Sequence, residues 1–372
     1  MIGAGVSLSK IKRYFARVLF QMSMRLVLRL VVIVLAVLLP LVGVAFAVAP
    51  VLPQAGQLSY SAGSRIYLLD VARGLPVVLL DDSLRPPLWS PDGQQMVYVQ
   101  QTGTEATMAD NVMYAADFAR SARVLLAGSG DGAFVEHFPV WSPFAPQVAF
   151  TYVQPESDRL ELAVVQPDKG ILRTANVANL IPRSSELAWT AADRLRYVTV
   201  GSGTVRLNEL NLETMQREVV HRWPFETMTA RLPAMSADGE RFILPAITPD
   251  ALNFELYLFD NRTDDIRNLS NRSSHMDTNA IWSPDEQYVM FRSLNDAGQF
   301  VVLMAADGSQ QSTLYRVSGA LFSQLTWSPD GRFASVIMNQ SGQKHLCIIA
   351  LADAAVTCPA EDVDQAMWRP LP

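Results

Sequence analysis

Histidine beside a carboxylate is the pairing from which metal sites and acid–base catalysis are built. The four histidines of this 372-residue chain are His137, His221, His275 and His345. Two have an acid at hand: Glu136 precedes His137, and Asp277 follows His275 by two positions. Both pairs stand just before a tryptophan, Trp141 and Trp282. No two histidines show the i, i+4 spacing of a helical metal site. Glu136, His137, His275 and Asp277 therefore form a candidate binding cluster, for a metal or a substrate, if the fold brings their two loops to one mouth. The plainer reading is four solvated residues on an acidic rim. No metal is specified and no cofactor is implied.

The other tests for chemistry return little. There is no HExxH, no GxSxG elbow and no Walker loop. "AGSGDGAF" at 127–134 is rich in glycine but leads toward a strand, not a helix, so it lacks phosphate-cradling geometry. The two cysteines, Cys347 and Cys358, lie on the runs "KHLCIIALAD" and "AAVTC". A tight turn near Ala352–Asp353 would set them opposite each other, within reach of a disulfide. A slip in register would leave two small buried thiols instead. Both outcomes are open at this stage.

The elements that would position these residues come from a repeat. "WSPDG" stands at 89–93 and 327–331, "WSPDE" at 282–286 and "WSPFA" at 141–145. Aligned on this turn, the structural repeat positions are Trp89, Trp141, Trp189, Met235, Trp282, Trp327 and Trp368. Their spacings are 52, 48, 46, 47, 45 and 41 residues, the period of β-propeller blades. Each unit holds a short run ending at the Trp, the turn, two apolar runs such as "RFASVIM" (332–338) and "KHLCIIA" (344–350), and a weaker fourth. Proline presets φ in the turn, aspartate bonds its own backbone and glycine accepts positive φ.

The expected fold is all-β: a seven-bladed β-propeller of four-stranded antiparallel blades. The unit at 57–80 lacks a Trp strand, and "VDQAMWRP" (363–370) is a Trp strand with nothing after it. N- and C-terminal strands should thus close one blade and leave no open edge in the ring. The tryptophans are expected to pack between neighbouring blades.

The turns, with "RNLSN" leading into "WSPDEQYVMFRS", resemble the TolB-like, WD40-like (PD40) propeller repeats over about 57–370. The match weakens at "WTAAD" (189–193) and "MSADG" (235–239). The family's namesake has six blades behind a small α/β domain, so seven blades and a different N-terminus depart from it. Related propellers cap prolyl-oligopeptidase-like peptidases, whose hydrolase domain finds no room here. Others resemble metal-using sugar-acid lyases, which implies a role for the His/acid cluster at the channel mouth.

From Leu30 to Leu52 no residue is charged, a run long enough to span a bilayer. Lys10, Lys12, Arg13, Arg17, Arg25 and Arg29 precede it, and the first acid in the chain is Asp70. By the positive-inside rule residues 1–29 form a basic cytoplasmic tail, 30–52 a single transmembrane helix, 53–56 a linker, and the propeller at 57–372 is extracytoplasmic. The competing reading is a signal peptide cleaved at "AFA" or "AVA" within 45–49. Beyond residue 29 the chain carries 24 basic against 36 acidic residues, a balance of −12 that argues against nucleic acid as a partner. The expected function is a membrane-anchored, non-catalytic scaffold binding a protein or peptide through inter-blade loops near 81–87, 128–137, 179–186 and 271–279. The alternatives are a metal-dependent lyase or hydrolase at the channel mouth, and an envelope ligand sensor.

Overall fold

The chain divides into two units, residues 1–54 and 55–372. The computed structural model describes 56–81, 85–101, 111–117, 123–127, 134–135, 139–154, 159–167, 170–176, 187–201 and 203–370. The tail at 1–29 and the apolar run at 30–52 lie outside these residues. No helix among the described residues is long and apolar enough to cross a membrane.

Seven antiparallel sheets follow one another along residues 57–369. The seventh blade is composite. Strands Gln57–Ala62, Arg65–Asp70 and Leu75–Asp81 supply three of its members, and Val363–Arg369 supplies the innermost one. Leu58 pairs with Trp368 and Tyr60 with Ala366. The remaining blades are the first (88–127), second (134–176), third (188–224), fourth (229–268), fifth (276–317) and sixth (320–361).

The blades contain four strands each, with one qualification. In the second and fourth, the innermost strand is broken into two short pieces, Phe134–Val135 with Val140–Trp141 and Thr229–Ala230 with Ala234–Met235. Pro139 and Pro233 fall in the breaks. Proline has no N–H to give the ladder, so pairing lapses there and resumes.

No single core sits at the centre. Among the described residues, the buried apolar side chains fall into seven clusters, each at one blade–blade interface. Strand Arg241–Ile247 shows why its sequence is apolar after the opening arginine. Phe242, Leu244 and Ala246 face the third blade, while Ile243 faces the fifth. Side chains alternate across a strand, so a strand sandwiched between two blades buries both faces. A fully buried phenylalanine such as Phe242 contributes about 1.5–3 kcal/mol of transfer free energy.

The repeat position always faces the preceding blade. Trp89, Trp141, Trp189, Trp282, Trp327 and Trp368 pack into successive interfaces, and Met235 takes the equivalent place between third and fourth blades. Several ring N–H groups also reach back one blade. Trp141 donates to the Leu88 carbonyl (3.1 Å), Trp189 to Val140 (3.0 Å) and Trp282 to Ala234 (2.9 Å). Each acceptor immediately precedes the repeat position of the blade before. Met235 cannot donate such a bond. At its interface Trp223, from the end of the third blade's outer strand, is buried edge-on against Phe242 and Phe259 at 5.6 and 5.4 Å.

Candidate functional site

The innermost strands converge on the ring's axis and enclose a cavity of about 700 Å3. Five blades contribute walls: Val140 from the second, Leu187 beside the third, 230–235 from the fourth, 279–282 from the fifth and 323–325 from the sixth. Most of the lining is apolar, and Leu232 is 58 % exposed to the opening. The polar exceptions are Arg231, Asn279, Ser323 and Gln324. Asn279 sits at a bulge in strand Met276–Trp282 and has a positive φ of 53°. Asparagine tolerates that conformation better than most residues. Gln324 is pinned, bridging the sixth and seventh blades by donating to the Ala366 carbonyl (3.0 Å) and accepting from its N–H (2.9 Å).

At the start of the fifth blade's inner strand, Asp277 is completely buried. Its carboxylate is held by Arg272, with Nη2 at 2.8 Å and Nε at 3.3 Å, and Arg272 also donates to the Ser293 hydroxyl at 2.8 Å. His275 stands beside this pair. The Asn295 amide Nδ2 lies 2.8 Å from Nε2, and the Ser274 hydroxyl 3.0 Å from Nδ1. An amide that donates to Nε2 requires the neutral ring with its proton on Nδ1. Burial, and then the positive Arg272, hold the His275 pKa below its ordinary value, against the opposing pull of Asp277.

The structure thus places His275 and Asp277 together but ties both up. Glu136 and His137 lie outside the described residues, as do 82–84 of the loop at 81–87, most of 128–137 and all of 179–186. Among the described residues no group of three or more His, Cys, Asp or Glu is arranged to hold a metal. Cys347 and Cys358 form a disulfide across strands Gln343–Ala350 and Val356–Glu361, at a register shift between Leu346 and Ile348. The cavity residues carry no motif that spacing could reveal, because they come from five repeats. The one signal lay beside them: Arg292, a lone cation inside the strand "YVMFRSLN", whose guanidinium reaches Thr278 and the Phe322 carbonyl next to the wall.

The family described as the TolB beta propeller domain (PD40) matches residues 171–360, just over half of the chain. Among solved structures, TolB from Acinetobacter baumannii is similar at 14 % identity, with 84 % of this chain and 82 % of that one covered and a TM-score of 0.50. The β-propeller domain of the trilobed protease from Pyrococcus furiosus, described as having an open velcro topology, is similar at 11 % identity. It covers 83 % of this chain and 94 % of that one, with a TM-score of 0.59. An acylaminoacyl peptidase is similar at 11 % identity and a TM-score of 0.58, over 82 % of this chain but only half of its own. These likenesses share the propeller fold with the blades described above, and on the family match this chain belongs to the TolB β-propeller domain family.

Proposed function

We propose that the chain is a membrane-anchored, extracytoplasmic propeller that binds a protein or peptide segment without catalysis, at the central cavity and its mouth. The observation that carries this reading is the cavity itself. About 700 Å3 of mostly apolar space, with a few polar groups from five blades, suits an inserted side chain or extended segment. Rigid blades hold those walls in place, so little ordering of the receptor opposes binding. The anchor and orientation rest on the uncharged run at 30–52 and the six cations before it. The bridge between Cys347 and Cys358 suits an oxidising compartment outside the cytoplasm.

A photo-crosslinking amino acid placed at Leu232, in the full chain in its native membranes, tests the reading. Leu252, 87 % exposed and outside the cavity lining, is the control position. A discrete protein adduct is expected from position 232 and not from 252. Equal yields at both positions, or none at 232, would reject the cavity as the binding site.

A further inference from the structure

We propose that the cavity receives a carboxylate of an acidic peptide segment, gripped between Arg231 and Arg292. This rests on the peptide-binding reading above and specifies its ligand.

Several arginines of this protein are matched to a carboxylate. Arg194 and Arg196 meet Glu209 at 2.7 and 2.9 Å, Arg241 meets Glu286 at 2.5 Å, and Arg272 meets Asp277 at 2.8 Å. Each guanidinium of this set has a carboxylate. Arg231 and Arg292 have none among the described residues. Arg231 lines the cavity and is exposed to it, with its guanidinium 4.8 Å from the Phe254 ring centroid. Its backbone N–H donates to the Pro245 carbonyl at 2.9 Å, which fixes the root of the side chain. Arg292 is half-buried. It donates to the Phe322 carbonyl and, at 3.3 Å, to the Thr278 hydroxyl. Phe322 and Thr278 are the immediate neighbours of Ser323 and Asn279 in the cavity wall.

A guanidinium offers five N–H donors in a planar fork. The fixed partners of Arg292 use only part of that set, and Arg231 has no side-chain acceptor among the described residues. Burial, and then repulsion from Arg231, press the Arg292 pKa down, in keeping with a guanidinium that reaches Thr278 and the Phe322 carbonyl at the wall Arg231 lines. A carboxylate would relieve that repulsion and accept from both forks, the strong charge-assisted geometry for this pair of groups. The rest of the wall is aliphatic or aromatic, with Leu232, Met235, Ile281 and Leu325, which suits apolar residues flanking the acid. Elsewhere the body carries an excess of acids, so its outer faces repel such a segment and the arginine pair is where it finds attraction.

Selection of displayed random peptides on the immobilised full chain tests this. Wild type is compared with Arg231→Gln, with Arg231→Gln/Arg292→Gln, and with Leu232→Asp, which spoils the apolar wall. Arg231 is exposed, so Arg231→Gln leaves the ring folded, and an unchanged melting temperature verifies it. Peptides retained by wild type are expected to be enriched in Asp and Glu over the input. Their affinity should fall about tenfold in Arg231→Gln, and amidating the acids to Asn and Gln should abolish the difference between the two proteins. Acidic peptides bound equally by Arg231→Gln would overturn the arginine assignment. Peptides without acids, lost only in Leu232→Asp, would overturn the carboxylate while leaving the peptide-binding reading standing. No peptide retained by any of the proteins would overturn both.

Discussion

At the scale of single residues, the pair His275 and Asp277 shows how far spacing can be read. Two positions apart, they resemble half of a metal site. The fold gives Asp277 to Arg272, five residues upstream, and His275 to Asn295 on the next strand. Neither partner is implied by sequence distance, because a turn and a strand pairing bring them in. The consequence is measurable. His275 has its pKa lowered in the folded state from the ordinary 6.5. As pH falls below that value the unfolded chain takes up the proton first, so stability declines toward acid and levels off below the folded pKa. The urea midpoint of the wild type should therefore drop between about pH 7 and pH 5, and His275→Gln should show a shallower drop over the same window. Identical slopes would mean that His275 is not held neutral.

At the scale of the element, the Trp-Ser-Pro-Asp turn is the unit of construction. Trp, Pro, Asp and Gly have reasons that can be read from their chemistry. The serine is the member whose role emerged only in three dimensions. In four blades its buried hydroxyl donates to the Asp two residues on: Ser90 at 2.6 Å, Ser236 at 2.7 Å, Ser283 at 2.6 Å and Ser328 at 2.6 Å. The same oxygen accepts from the N–H that opens the next strand, at 2.8, 3.0, 2.9 and 2.9 Å. The Asp carboxylate in turn accepts from the backbone two residues later, and at Asp92 and Asp285 these bonds, led by the serine's, hold its pKa below the ordinary range. Where glycine is replaced, Glu286 adopts a positive φ of 56°. Its carboxylate reaches the fourth blade's turn, accepting from Ala237 N–H at 2.6 Å and Arg241 at 2.5 Å. That contact offsets the backbone strain and explains a residue that looks wrong for the turn. Ser328→Ala should lower stability by about 1–3 kcal/mol, since it leaves a buried N–H and a carboxylate short of partners. A denaturant midpoint within error of wild type would show that the turn does not depend on the hydroxyl.

At the scale of the whole molecule, stability is shared among interfaces, so closing the ring matters more than any one blade. Val363, Ala366 and Trp368 are buried in the interface with the sixth blade, and Met367 packs on the interface with the first. At the end of that strand, the chain lies against the first blade's turn. Arg369 donates to the Gly93 carbonyl at 2.9 Å, and a Cβ on Gly93 would stand 2.3 Å from the Pro370 carbonyl oxygen. With a φ of +66°, Gly93 is doubly required. Deleting 363–372 should lower the melting temperature of the whole propeller in one cooperative transition, and Gly93→Ala should do so to a smaller extent. A truncated protein that melts like the full chain would refute ring closure as the source of stability.

Much of this architecture was legible in the amino-acid order. A blade is built from neighbours in the chain, so the period near forty-six, the turn chemistry and the two incomplete terminal units already imply seven blades and their closure. The proline breaks in two inner strands refine that picture without changing it. The family resemblance follows from the same local motifs. The site is another matter. Arg231 and Ser323 lie in different repeats from Asn279 and Arg292, and each residue means little by itself. Only the ring sets their strands around one axis, and only placement beside apolar walls makes two arginines with no carboxylate partner among the described residues significant. Local periodicity determined the blades, while convergence of distant strands decided the cavity and the charge within it.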